Sequence, residues 1–123
     1  MSNPNIVTAT SIIAKVETFV LTASIFANEL VNDAGSDKVF KINSITACNI
    51  SDSQKWVRVL VKPNNNNNIT HYRIVEDTDV PSQTTLVVLS TDTPIYLMMN
   101  QRIMARAQTN DAINLQISYE EIS

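Results

Sequence analysis

The chain has 123 residues, of which 44% are hydrophobic and 17% charged, and its net charge is −3. That is the size of one domain able to bury a core without disulfides or metals, and the nine Lys and Arg, spread from Lys15 to Arg106 without clustering along the sequence, give no basic stretch of the kind a nucleic-acid binder carries. Cys48 is the single cysteine, which excludes an internal disulfide, and no run approaches the roughly 18 apolar residues of a membrane-spanning helix.

Residues 1–5 have neither the positive start nor the apolar block of a secretory signal, so a chain made and used without a secretion step is expected. Gly35 is the only glycine. Tight turns need backbone at positive φ, which glycine usually supplies and Asn and Asp tolerate next best. The fourteen Asn and seven Asp gather where turns are wanted, at 32–33, 64–68, 77–79, 100 and 110–111, and are read as turn residues rather than ligands.

Residues 5–27 are rich in Thr, Ile, Val and Ala. Ile12, Ala14 and Val16 alternate, and then Phe19, Leu21, Ala23 and Ile25 alternate on the other parity. This predicts two strands joined by a bend, or one strand with a bulge near Thr18. A helix over 15–31 is the rival reading, against which the β-branched run at its start weighs. Residues 32–38 form a loop. In 39–50, Phe40 and Ile42 share one parity and Ile45 and Ala47 the other, so a strand with a bulge near Asn43 and Ser44 is predicted. Cys48 is read there as a small buried residue. Residues 55–62 direct Val57, Val59 and Val61 inward and Trp56, Arg58 and Leu60 the other way. An outward Trp56 and Leu60 mean either a strand covered on both sides or a patch used for contact.

Pro63 and the asparagines of 64–68 end that strand in a loop tip. Residues 70–75 resume extended structure, with Tyr72 and Ile74 opposite His71 and Arg73, and 76–82 reads as a turn-rich connection. Residues 84–89 are a compact apolar strand and 95–99 a shorter one. The stretch 102–122 is two alternating runs around a polar tip at 109–111; in the second, Ile113, Leu115, Ile117 and Tyr119 fall on one face. The two runs read as a terminal β-hairpin whose apolar face needs a second sheet. Eight or nine short strands at this spacing predict an all-β fold, an antiparallel two-sheet β-sandwich, jelly-roll-like or immunoglobulin-like, in a single domain over 1–123.

Few residues are suited to catalysis. His71 is the sole histidine and falls on the polar side of its strand. Glu120 and Glu121 are neighbours in an extended run, so they point to opposite faces, cannot share one substrate, and are read as capping and solubilising the last strand. Asp77 and Asp79 lack the glycine and downstream glutamate of known calcium loops. Phosphate loops, dinucleotide fingerprints and nucleophile elbows need glycines the chain does not possess. No catalytic residue, metal or cofactor is assigned, and a non-enzyme that works by binding and assembling is expected. Met98, Met99 and Met104, near Tyr96, suit a contact surface and a core gap equally.

Four segments carry a resemblance: 38–45 (Lys-Val-Phe-Lys-Ile-Asn-Ser-Ile), 47–50 (Ala-Cys-Asn-Ile), 86–97 (Leu-Val-Val-Leu-Ser-Thr-Asp-Thr-Pro-Ile-Tyr-Leu) and 117–123 (Ile-Ser-Tyr-Glu-Glu-Ile-Ser). They resemble small β-sandwich virion proteins of tailed bacteriophages, especially phages of aquatic bacteria, over most of the chain after Lys38. The resemblance implies a structural protein in repeated copies, in the neck or tail or as a capsid decoration (cement) protein, assembled in the bacterial host cytoplasm and resident in the virion. The implied partners are other virion proteins and copies of itself as a homo-oligomer, with no nucleic acid and no membrane. Where such proteins place an acidic residue and a glycine after the Ile-Tyr-Leu run, this chain has Met98, Met99, Asn100 and Gln101. The interface candidates are Ile6, Ile12, Trp56, Leu60, Met98 and Met99. Residues 1–14 are read as an extended N-terminal arm, with 3–14 engaging a neighbouring subunit. The alternative is a carbohydrate-binding β-sandwich module. It needs aromatic platforms, and Trp56, Tyr72, Tyr96 and Tyr119 are dispersed.

Overall fold

The computed structural model describes residues 11–24, 29–63 and 72–123. Ile6 and the rest of 1–10, the 64–68 asparagines and His71 lie outside the described residues. The described chain has no helix and nine strands: β1 Ile12–Val20, β2 Glu29–Asn32, β3 Val39–Asn49, β4 Lys55–Lys62, β5 Tyr72–Val80, β6 Thr85–Leu89, β7 Ile95–Leu97, β8 Gln101–Ala107 and β9 Ile113–Ile122. One sheet runs β1-β9-β3-β6, with β7 also on β3; the other runs β2-β8-β4-β5, and every pairing is antiparallel. β6 pairs with the second half of β3 and β7 with the first half, so the two act as one edge strand broken at Ser90–Pro94. Counted that way, the connectivity is that of an eight-stranded jelly roll. The immunoglobulin alternative is excluded, because it puts the first two strands in one sheet and here β1 and β2 lie in different sheets.

The alternation read from the sequence identifies the inner faces. Ile42, Ile45, Ala47, Ile113, Leu115, Ile117 and Tyr119 from one sheet meet Val57, Val59, Ile103, Ala105 and Ala107 from the other, all buried. Each large aliphatic there contributes about 1.5–3 kcal/mol. Small Ala105 and Ala107 leave room for the Ile and Leu side chains opposite, and Phe40 and Tyr119 pack with ring centroids 5.2 Å apart. The bulge expected near Asn43 is present, as a register shift between Ile42 and Ser44 against β9.

Three expectations are corrected. β8 and β9 are not a hairpin: β8 pairs with β2 and β4, while β9 crosses to the other sheet between β1 and β3. Their apolar faces look at each other across the core, a relationship with the same period-two signature as a hairpin. β1 has no bulge; it keeps an unbroken register with β9 from Ile12 to Val20. The change of parity arises because β1 is apolar on both faces, with Phe19 packed on the core and Ile12, Val16 and Val20 on the outside. β5 runs on to Val80 where a turn was expected, because a bulge absorbs the polar stretch, with Asp77 at a φ of 44°.

Among the described residues, four of the five non-glycine residues at positive φ are Asp or Asn: Asp37, Asp77, Asn100 and Asp111. Two further asparagines are fully buried and fasten the two sheets together at opposite ends. Asn32 donates to the carbonyls of Lys38 and Leu97, each at 2.9 Å, and accepts from the Ser36 hydroxyl at 2.5 Å. Asn49 donates to Ser53 and Val80, each at 2.9 Å, and accepts from the Ser51 amide and hydroxyl at 2.9 and 2.7 Å. Neither amide leaves a polar atom unused, which is what a buried Asn requires.

Candidate interaction surfaces

Three surfaces stand out, and the interface candidates are divided among them rather than gathered in one place. The first is the outer face of the β2-β8-β4-β5 sheet. Although scattered in sequence, all four arginines fall on it. Pairing sets Arg58 opposite Arg106, Lys62 opposite Arg102, and Leu60 between Met104 and Arg73. Like charges directly opposite destabilise a sheet, so the face needs counter-charges. It has them: Arg58 donates two 2.8 Å hydrogen bonds to the two Asp77 oxygens, Arg73 pairs with Glu76, and Arg102 lies 3.1 Å from Glu29. The hydrogen bond from Arg58 holds the Asp77 carboxyl below its ordinary value.

Trp56 is half-buried on this face, its ring centroid 5.6 Å from the Arg58 guanidinium and 5.3 Å from that of Arg106. Leu60 is buried, at 3% exposure, and so is Met104, at 1%, which removes Leu60 from the contact candidates in favour of the covered-strand reading. The Nε atoms of Arg102 and Arg106 are buried and make no hydrogen bond to a described residue.

The second surface is the outer face of the other sheet. A groove of about 460 Å³ crosses β1, β9, β3 and β6, lined by Thr18, Val20, Thr46, Cys48, Thr85, Asn114 and Gln116. It offers hydroxyls, amides and a thiol, and no charge. Cys48 is half-buried there rather than part of the core. Tyr72 and Tyr96 are exposed elsewhere, Tyr119 is buried, and among the described residues no aromatic lines the groove beyond Phe19.

The third is the open side of β1. Residues 12–14, expected in an extended arm reaching a neighbouring subunit, are strand paired on β9 of the same chain. Ile12 is 64% exposed, Val16 54% and Val20 55%, while Ile13 is 49% exposed on the opposite face. Among the described residues nothing pairs with the side of β1 away from β9. Beside it a charged cleft separates β1 from β2. Here Glu121 is nearly buried and bridges Lys15 at 3.1 Å and Lys38 at 3.2 Å, so it is a tie between elements rather than a solubilising surface residue. Burial pushes the Glu121 carboxyl up, but hydrogen bonds from Lys15 and Lys38 outweigh it and leave the net value below the ordinary one. Burial, with the charges of Glu17 and Glu121, raises the Tyr119 hydroxyl.

Met98 and Met99 sit half-buried in the β7–β8 turn and line neither the groove nor the charged cleft. The Met98 amide donates to Gln101 Oε1 at 2.8 Å, and the Met99 sulfur accepts from the Asp37 amide at 3.2 Å. They tie loops at one end of the sandwich. Comparison with protein-family models, with curated proteins and with solved structures found no match.

Proposed function

We propose that the chain is a non-enzymatic structural protein of a tailed-bacteriophage virion, working in repeated copies in the neck or tail or as a capsid decoration protein. The observation that carries this reading is β1, a nine-residue strand at the edge of a jelly roll with Ile12, Val16 and Val20 more than half exposed. An edge strand presents a row of unused N–H and C=O groups, and a soluble monomer normally blunts such an edge with charge, proline or a short length. Here only Lys15 and Glu17 are charged along its length. A strand that long and apolar is suited to a neighbour in an assembly. Jelly rolls also recur in viral capsid domains, and the segments at 38–50, 86–97 and 117–123 resemble virion proteins. Mass spectrometry of purified particles separated into heads and tails is the test. The chain is expected in one of the two fractions at many copies, and its absence from both would refute the proposal.

A second reading, a carbohydrate-binding module, is favoured by one feature, the uncharged groove lined by Thr18, Thr46, Thr85, Asn114 and Gln116. Hydroxyl and amide groups suit sugar hydroxyls, but no exposed tyrosine or tryptophan stands at the groove to stack on a sugar ring. A glycan array read together with the oligomeric state separates the two. Glycan binding by a monomer favours the module, and a symmetric oligomer without glycan signal favours the virion component.

A further inference from the structure

We infer that the open side of β1 is the seat of a symmetric two-chain contact, in which β1 pairs antiparallel with β1 of a second copy about a two-fold axis at Val16. This deepens the proposed assembly role and rests on it for its biological setting, but its argument comes from the register alone.

The backbone fixes which residues are available. Ser11 and Ser123 exchange hydrogen bonds at 3.1 and 3.0 Å, and the Leu21 amide donates to Ile113 at 2.9 Å. In an antiparallel ladder, residues alternate between pointing both backbone groups at one neighbour and pointing both at the other. Odd-numbered residues of β1 therefore face β9, and Ile12, Ala14, Val16, Thr18 and Val20 aim their N–H and C=O groups at the open side. A second antiparallel strand must engage those five residues with an equivalent set.

The side chains then choose the register. Centring the axis on Val16 sets Ile12 against the partner's Val20, Ala14 against the partner's Thr18, and Val16 against the partner's Val16 on the outer face. On the other face Ile13 meets the partner's Phe19, and Lys15 meets the partner's Glu17. Ile12, Ile13, Val16, Phe19 and Val20 each meet an apolar residue, the small Ala14 meets Thr18, and each charge meets its opposite. The nearest registers that still engage the same backbone groups centre on residue 15 or residue 17. They put Lys15 against the partner's Lys15, or Glu17 against the partner's Glu17, directly opposed like charges that a sheet disfavours. The two charged residues of the edge thus act as a register key, attractive in one alignment and repulsive in its neighbours. Glu17 has no ion-pair partner among the described residues, while Lys15 is 45% exposed beyond its contact with Glu121. Such a contact is isologous and closes at two copies, joining the β1-β9-β3-β6 sheets into one continuous sheet.

The test is sedimentation equilibrium on the full chain and three variants. The parent is expected to dimerise. Lys15→Glu and Glu17→Lys should each weaken dimerisation between about tenfold and a hundredfold, because each opposes like charges twice across the axis. An equimolar mixture of the two single variants should recover a heterodimer, since one then carries two carboxylates and the other two ammonium groups at those positions. Val16→Lys sets like charges on the axis itself and should give a monomer with an unchanged circular dichroism spectrum. A parent monomeric at all concentrations, single variants that dimerise as the parent does, or a mixture that fails to recover would overturn the contact. These outcomes are independent of whether the chain is found in particles: presence there with an unaffected Lys15→Glu variant refutes this register alone, and absence with a recovered heterodimer refutes the virion reading alone.

Discussion

Arg58 and Arg106 stand directly opposite one another on β4 and β8, with the Trp56 ring within 5.6 Å of both guanidinium groups. Asp77 takes the Arg58 guanidinium in a bidentate pair, Glu76 lies 3.2 Å from its Nε, and the ring face attracts both guanidinium groups, which together offset the repulsion. Asp77→Asn keeps a side chain that tolerates the positive φ but removes the charge and one of the two acceptor oxygens facing Arg58. It should cost about 0.5–1 kcal/mol at low ionic strength. The difference from the parent should shrink as salt approaches about 1 M, where the screening length is about 3 Å. Urea denaturation at two salt concentrations reads this out.

Replacing the ring itself tests the other half of the arrangement. Trp56→Leu keeps an apolar side chain but removes two cation–π contacts of about 0.5–1 kcal/mol each, so a loss of about 1–2 kcal/mol is expected. Trp56 is the only tryptophan, so unfolding of this variant must be followed by circular dichroism. In the parent, the same uniqueness makes tryptophan emission a local reporter of the arginine face.

Asn49 should be among the least replaceable polar residues. Asn49→Ala strands the buried Val80 carbonyl and takes the partner from the part-buried Ser53 carbonyl and Ser51 amide, at a cost of about 2–4 kcal/mol. The thermal midpoint should fall by roughly 10 °C, measured by calorimetry. Asn114→Ala, on the outer face, is the control and should stay within about 0.5 kcal/mol of the parent.

Glu121 gives the molecule an acid-sensitive tie. Its carboxyl is depressed in the folded chain relative to an ordinary value of 4.5, so its contribution is complete above that pH and disappears as pH falls through the folded value. Glu121→Gln should be less stable than the parent by about 1–2 kcal/mol at neutral pH. The gap should close as pH drops well below 4.5, and a constant gap from pH 7 to pH 3 would count against this account. Thermal melts across that range measure it.

Much of the fold was legible in the residues because period-two alternation reports which side of a strand is dry. Val57, Val59, Ile113, Leu115 and Ile117 were placed on the inner faces by that signal alone, as was the bulge at Asn43. The same signal is silent about which strand lies alongside. Hence β8 and β9, read as a hairpin, proved to lie in different sheets, facing each other across the core instead of sharing a ladder. The arginine face was hidden for a related reason: Arg58, Arg73, Arg102 and Arg106 meet only because β4 lies between β5 and β8. A partial clue was present, since Arg58 falls on the parity opposite the inward Val57, Val59 and Val61, and Arg102 and Arg106 share one parity of their own alternating run. The buried roles of Asn32 and Asn49 had no such clue, because a turn asparagine and a sheet-joining one look alike in sequence.

The position of β9 has a consequence for synthesis. Residues 113–122 form the strand between β1 and β3, so until they leave the ribosome those two strands have no ladder to join them. Pairings separated by most of the chain's length form slowly and leave strand edges exposed meanwhile. A premature stop shortly before codon 113 therefore leaves a nascent product with nearly all of its apolar residues and no means of closing around them. Such fragments belong with chaperones and proteases, because β1 and β3 lack the strand that joins them.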